Sequence, residues 1–175
     1  FIISPTPRKA FILRGYAGTG KTSIMAALVG ALHDLQQRIV LLAPTGRAAK
    51  VLSGYAHVPA YTIHKYIYRA RSKSAPSLED ATLQFKGERQ AFSLRDNLHK
   101  NTLFIVDEAS MISGQRDNPI FGSGMLLEDL VRYVYSGEGC SMLLLGDDAQ
   151  LPPVGSSQSP ALDENYMSGY QLDIH

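Results

Sequence analysis

The sequence predicts an α/β fold, a parallel β-sheet with helices on both faces. Three observations predict it. Four short apolar runs, "AFILR" (10–14), "RIVLLA" (38–43), "TLFIVD" (102–107) and "SMLLLGD" (141–147), are nearly continuous rather than alternating. That is the pattern of strands covered on both sides. Segments with helical spacing separate the runs, so β and α elements alternate along the chain. Each run also ends in an unusual polar segment, and in open parallel sheets such segments share one edge, at the carboxyl ends of the strands.

At 175 residues the chain has the length of one domain with room for a small insertion. It is 45% hydrophobic and 19% charged, ordinary for a soluble protein with a core. No apolar stretch is long enough to cross a bilayer, and the opening "FIISPTPRK" lacks the order of a signal peptide. A cytoplasmic protein without a membrane partner is expected. The single Cys140 lies in "CSMLLLG" and is expected to be a buried structural thiol. There is no initiator Met, so the chain is expected to begin part-way through a longer protein. Residues 1–100 hold fifteen Lys/Arg and five Asp/Glu, whereas residues 101–175 hold two and eleven. Such asymmetry suits a polyanionic partner, or a basic face balanced by the acidic half within the fold.

The first strand leads into "GYAGTGKTS". Gly15, Gly20, Lys21 and Thr22 fit the pattern G-x-x-x-x-G-K-[ST]. Glycines at 15, 18 and 20 let the backbone curl until its N–H groups point inward at phosphate oxygens, with Thr19 and Ser23 in the same loop. The next helix adds its positive N-terminal end, and Ile24, Leu28, Leu32 and Leu35 are expected to form its apolar stripe. In such a loop Lys21 neutralises the β/γ-phosphates of a nucleoside triphosphate, and the Thr22 hydroxyl sits on Mg²⁺. The third strand ends in "VDEAS", where Asp107 is positioned to hold the same Mg²⁺ and Glu108 to orient or deprotonate the attacking water. A second stripe, Leu127, Leu130, Val131 and Val134, precedes the fourth strand. The predicted site hydrolyses a nucleoside triphosphate.

The other strand ends narrow the reading. "APTGRAAK", "YTIHK" and "GDDAQLPPVG" join "GYAGTGKTS" and "VDEASM" in an order that resembles motifs I, Ia, Ib, II and III of superfamily 1 DNA helicases. The resemblance to the RecD-like branch, the exodeoxyribonuclease V alpha subunit family, is close. It implies a RecA-like P-loop NTPase domain with single-stranded DNA as partner, and further DNA-repair or recombination subunits as a partner class. It implies that Thr45 and Arg47, with Lys50, hold a DNA phosphate, and that Thr62, His64 and Lys65 contact the single-strand backbone. Tyr55, Tyr61, Tyr66 and Tyr68 interleave with these residues; some are expected to stack on bases and more of them to pack in the core. Gln150 is the expected γ-phosphate sensor, assisted by Asp147, and Pro152 and Pro153 shape a DNA-facing loop.

Residues 71–100 separate two of the motifs, where RecD-like helicases carry a small β-hairpin that works as a strand-separating pin. A hairpin with Leu83, Phe85, Phe92 and Leu94 on its arms is expected. No adenine-reading glutamine segment precedes Gly15, and motifs IV, V and VI do not occur. The resemblance therefore implies the first RecA-like domain of a larger helicase, whose own second RecA-like domain is a required partner. The 175 residues alone are expected to hydrolyse ATP weakly or not at all. Two rival readings are a P-loop kinase or signalling NTPase, which leaves "APTGRAAK" and "TIHK" without a purpose, and a nucleotide-binding DNA module without turnover.

Overall fold

The computed structural model describes residues 8–16, 18–70, 92–147, 149–150, 152–153 and 158–175. In chain order the elements are β1 (Lys9–Arg14), α1 (Lys21–Asp34), β2 (Arg38–Ala43), α2 (Gly46–Ala56), β3 (Ala60–Thr62), α3 (Ile63–Ile67) and β4 (Tyr68–Ala70). There follow β5 (Phe92–Leu94), β6 (Thr102–Val106), α4 (Leu126–Ser136), β7 (Ser141–Gly146), α5 (Glu164–Ser168) and β8 (Asp173–Ile174). Short 3-10 turns occupy Ala109–Met111 and Pro160–Leu162.

The four apolar runs become the four central strands of a six-stranded sheet ordered β3-β2-β6-β7-β1-β8. Every neighbouring pair in it is parallel. The pleat sends alternate residues to opposite faces. Val40, Leu42, Phe104, Val106, Met142 and Leu144 bury against α3, α4 and the Pro160–Leu162 turn. Leu41, Leu103, Ile105, Leu143 and Leu145 bury against α1 and α2. The sheet is thus covered on both faces, as its continuous apolar runs require. Cys140 is buried beside α4. Among the described residues no helix is long and apolar enough to cross a membrane.

Helix α4 buries Leu127, Leu130, Val131 and Val134 as expected. Helix α1 uses the expected stripe only in part: Leu32 is buried and Leu28 packs partly buried against the same cluster, but Ile24 and Leu35 do not. Its buried face is Met25, Val29 and Leu32, while Ile24 is 57% and Leu35 75% exposed. The segment "SIMAALVGAL" is apolar almost all round, so two stripes about 100° apart fit its sequence equally well. Packing on the sheet selects the one containing Met25 and Val29.

The expected pin falls largely outside the described residues, Leu83 and Phe85 included. Phe92 and Leu94 are described. They lie in β5, which pairs antiparallel with β4 (Ala70 opposite Phe92, Tyr68 opposite Leu94). This ribbon is anchored on the body. Phe92 stacks on Phe121 at 4.6 Å between ring centroids, and Gly122 N–H donates to the Phe92 carbonyl at 3.0 Å. Tyr68 is buried and its hydroxyl donates to Asp129 Oδ2 at 2.7 Å. In the segment 95–100 Asn97 is the buried anchor: its amide donates to the Tyr133 and Val134 carbonyls near the end of α4.

Candidate functional site

Five parallel strands deliver their carboxyl ends to one edge. After β1 the chain turns through Gly15 and Gly18 into Gly20, whose φ of +81° a side chain would strain. Gly20 also stands as the N-cap of α1, which has no acidic residue in its first turn to oppose an anion. The Thr19 hydroxyl donates to the Tyr16 carbonyl at 2.7 Å and braces the loop. Lys21, the first residue of α1, donates from Nζ to the Gly15 carbonyl and, at 2.7 Å, to that of Tyr16. Its Nζ lies 3.8 Å from Asp147 Oδ2, a buried carboxylate just past β7. Thr22 follows on α1, with its side chain outside the described part, and Ser23 is exposed beside it.

Between β1 and β2 stand β7 and β6, and β6 ends in the pair Asp107–Glu108. Asp107 N–H donates to the Leu42 carbonyl at 3.0 Å, which extends the ladder one residue beyond the strand. Burial pushes the Asp107 carboxyl above its ordinary pKa. The Glu108 N–H, donating to Asp107 Oδ1 at 2.9 Å, opposes the shift; the Glu108 charge adds to it and Lys21 opposes it. Lys21 and Asp107 therefore act electrostatically on one site. A carboxyl whose pKa is raised by folding costs stability above that pKa, and the cost vanishes as pH falls through it. Asp107→Asn is accordingly expected to raise the melting temperature at neutral pH and to raise it less toward acid pH. Calorimetry at two pH values checks this.

Glu108 adopts a left-handed backbone conformation (φ 54°, ψ 34°). For a residue other than glycine this is sparsely populated and costs about 1 kcal/mol or more. It turns the chain sharply into the Ala109–Met111 turn and sets the Glu108 side chain against the loop after β7. There Gln150 Nε2 donates to Glu108 Oε2 at 3.0 Å, and Ser110 Oγ donates to Gln150 Oε1 at 2.9 Å. Asp147 Oδ1 accepts from Ala149 N–H at 2.9 Å, which shapes the same loop. The predicted residues Lys21, Asp107, Glu108, Gln150 and Asp147 thus gather at one place. Ser110, inside "DEAS", was not singled out by sequence reasoning. Beside them a cleft of about 470 Å³ is lined by Asp147, Gln150, Pro152, Ser159, Leu162 and the ion pair Arg14–Glu164, among others. Pro152 and Pro153 are half-buried.

The remaining predicted residues share the same edge of the sheet. Thr45 caps α2, its hydroxyl accepting from Ala48 N–H at 3.2 Å. Arg47 and Lys50 are exposed on that helix. Thr62 ends β3 and caps α3, accepting from Lys65 N–H at 3.3 Å. Each threonine keeps its hydroxyl proton available to a further acceptor. Lys65 is exposed, but His64 is half-buried against the rings of Phe121 (5.0 Å) and Tyr68 (5.7 Å). Burial lowers its pKa, which favours the neutral imidazole. Of the four tyrosines, Tyr55 and Tyr61 are exposed, Tyr66 is half-buried with its hydroxyl 2.8 Å from His99 Nε2, and Tyr68 is buried.

A glycine-rich loop opening a helix, an acidic pair at the tip of a buried parallel strand and a sheet covered on both faces define a P-loop NTPase domain. A family model described as an AAA domain matches residues 3–162, and the chain belongs to that family. Several relatives over most of its length carry helicase names, and others are described only as uncharacterized proteins. The ATP-dependent RecD2 DNA helicase of Deinococcus radiodurans is 30% identical over 82% of this chain and 16% of its own. The ATP-dependent DNA helicase Pif1 of a Psychrobacter species is 26% identical over 94% of this chain and 23% of its own. The ATP-dependent DNA helicase dda of Enterobacteria phage T4 is 29% identical over 85% of this chain and 29% of its own. The chain therefore spans less than a third of the length of these three proteins. The Pif1 helicase structure from Candida albicans aligns with 84% of this chain and 30% of its own, at 22% identity and a TM-score of 0.43.

Proposed function

We propose that this chain is the first RecA-like motor domain of an ATP-dependent DNA helicase. In the longer protein it would couple ATP hydrolysis to movement along single-stranded DNA and to duplex unwinding. The observation that carries the reading is the single sheet edge shared by two sets of residues. Lys21, Asp107, Glu108 and Gln150 form one set, and the threonine-capped, basic starts of α2 and α3 form the other. Gln150 touches Glu108, so a change at either is felt by the other. The branch we favour is the RecD-like one, on the wording of "APTGRAAK" and "GDDAQLPPVG"; the relative named Pif1 matches over a comparable share of the chain.

In this reading the N–H groups of Gly15, Gly18, Thr19, Gly20, Lys21, Thr22 and Ser23 surround the phosphates, with Lys21 Nζ as their counter-charge. Mg²⁺ would be held by Asp107 and Thr22, whose hard oxygens suit it, and when bound it would neutralise charge on the phosphates. Glu108 accepts the proton of the attacking water. Thr45, Arg47, Thr62, His64 and Lys65, with Pro152 and Pro153, face the single strand. His64, neutral and braced by Phe121, would donate one N–H to a phosphate rather than carry a charge to it. A second RecA-like domain would supply arginine to the γ-phosphate, a contribution of about 10³–10⁵ in rate in related phosphoryl transfer.

The test is nucleotide binding and hydrolysis by the 175-residue chain, with and without a single-stranded oligonucleotide. Lys21-dependent binding of Mg-ATP is expected, with salt-dependent oligonucleotide binding that ignores base sequence. Turnover is expected to be slow and to rise when the chain is extended through a second domain. Rapid turnover by this chain alone would refute the need for that domain. Loss of oligonucleotide binding at low salt would refute the helicase reading. In the extended protein Glu108→Gln is expected to lower kcat by about 10²–10⁴ with nucleotide affinity retained, as read by phosphate release and equilibrium titration.

A further inference from the structure

Motif residues on two different strand ends meet through a side chain that the nucleotide site does not itself require. Ser110 is only 1% exposed, in the turn that follows Glu108. Its hydroxyl donates to Gln150 Oε1 at 2.9 Å, while Gln150 Nε2 donates to Glu108 Oε2 at 3.0 Å. An ionised carboxylate only accepts, so the amide nitrogen must face Glu108 and the amide oxygen must face Ser110. A serine hydroxyl can turn to donate, so it satisfies that oxygen. The left-handed backbone at Glu108 holds Glu108 and Ser110 on the two sides of the same amide. The result is a fixed orientation for a side chain whose two ends, an acceptor and a donor, are nearly equal in shape.

We propose that Ser110 is a positioning residue for Gln150: Glu108 selects which end of the Gln150 amide it receives, and the buried Ser110 hydroxyl holds the amide in that orientation beside the nucleotide site. The proposal rests on the reading of Gln150 as part of the hydrolytic site. A glutamine that presents its oxygen to a γ-phosphate repels it, whereas one that presents its N–H₂ is drawn to it. Glu108 thus settles the sign of the interaction, and Ser110 holds the amide in place and ties the loop after β7 to the end of β6.

The side-chain amide of Gln150 in the nucleotide-free chain provides the test. Its ¹H–¹⁵N signals are assigned by their loss in Gln150→Ala. In the wild type they are expected away from those of solvent-exposed glutamines. In Ser110→Ala they are expected to move to the exposed-glutamine positions while the backbone amide spectrum keeps its dispersion, and in Ser110→Thr to stay near the wild-type positions. Gln150 signals unchanged in Ser110→Ala would overturn the proposal. If the alanine variant does not fold, Ser110→Cys serves, since a thiol is a weak donor. A partial shift in the same direction is then expected, and wild-type signals would overturn the proposal.

In the extended protein Ser110→Ala and Gln150→Ala are expected to lower kcat by similar factors without changing KM, and the double variant to be no slower than either. Factors that multiply would overturn the proposal. Adding Mg-nucleotide asks a separate question, because a Gln150 signal that fails to respond refutes the sensor reading and leaves the role of Ser110 intact.

Discussion

Lys21→Ala is expected to lower nucleotide hydrolysis by about 10²–10³-fold, as loss of a charge-stabilising donor does at a desolvated site. Nucleotide affinity is expected to fall with it. The ammonium stands at the positive end of α1, is largely shielded from solvent, and lies 3.8 Å from the buried Asp147 carboxylate. It also helps to hold down the pKa of Asp107. Its removal leaves two carboxylates without their nearby cation and the Gly15 carbonyl without its Lys21 donor, while the Tyr16 carbonyl keeps the Thr19 hydroxyl. Asp107 should then protonate more readily, so any residual activity should fail at a higher pH than in the wild type. Lys21→Arg keeps the charge, but its planar fork matches neither the two carbonyls nor a point contact on phosphate, and most of the loss is expected to remain. Phosphate release and titration with a fluorescent nucleotide give the readout. An alanine variant within tenfold of wild type would remove Lys21 from the site.

The largest effect on stability is expected at Asp129, which is 1% exposed on α4. Its Oδ2 accepts from the Tyr68 hydroxyl at 2.7 Å and from the Ser123 N–H at 2.9 Å. Alanine there leaves two shielded donors unpaired, at a cost of roughly 1–3 kcal/mol each. Some of this returns as water reaches the gap, so a net loss of about 2–4 kcal/mol is expected. For a domain of this size that corresponds to a melting temperature lower by about 5–15 °C. Gly122→Ala probes the same junction from the other side. Its φ of +46° disfavours a side chain, and the added methyl would overlap Asp129 Oδ2. The two changes share one contact, so together they should destabilise by less than the sum of their separate effects. A drop of under 2 °C for Asp129→Ala, by scanning calorimetry, would show that the junction contributes little.

The sheet centre and the phosphate loop were legible because their signals are local. A run such as "TLFIVD" can hardly be anything but a buried strand, and each such run carries its functional residues at its own end. The short strands β3, β4 and β8 gave no such signal, whereas β5 falls on the expected hairpin arm with Phe92 and Leu94. A two- or three-residue strand has no periodicity to read and exists because a neighbour supplies its hydrogen-bond partners, as β1 does for β8. The face of α1 was read correctly at Leu28 and Leu32 but not at Ile24 and Leu35, because its sequence is apolar almost all round. Asp129 was overlooked for the opposite reason, since a charged residue on an amphipathic helix reads as solvent-facing until Tyr68, some sixty positions earlier, is seen beside it. His64 was expected from its motif, but its packing on Phe121 depends on a loop far away in sequence. Ser110 lay within a quoted motif, yet its contact with Gln150 spans two strand ends and has no counterpart in spacing.

The bonds from Lys21 to the carbonyls of Gly15 and Tyr16 carry one more consequence. A phosphate that engages Lys21 must first draw the ammonium away from the loop's own backbone, so the nucleotide competes with an internal ligand. Where only a fraction of molecules present the ammonium outward, the apparent dissociation constant rises by the inverse of that fraction. Affinity can then be tuned without altering a single phosphate contact, by whatever displaces those two carbonyls. Tyr16, 66% exposed at the mouth of the loop, is a handle of that kind. A neighbour that gripped its ring and pulled the Tyr16 carbonyl outward would tighten nucleotide binding from a distance.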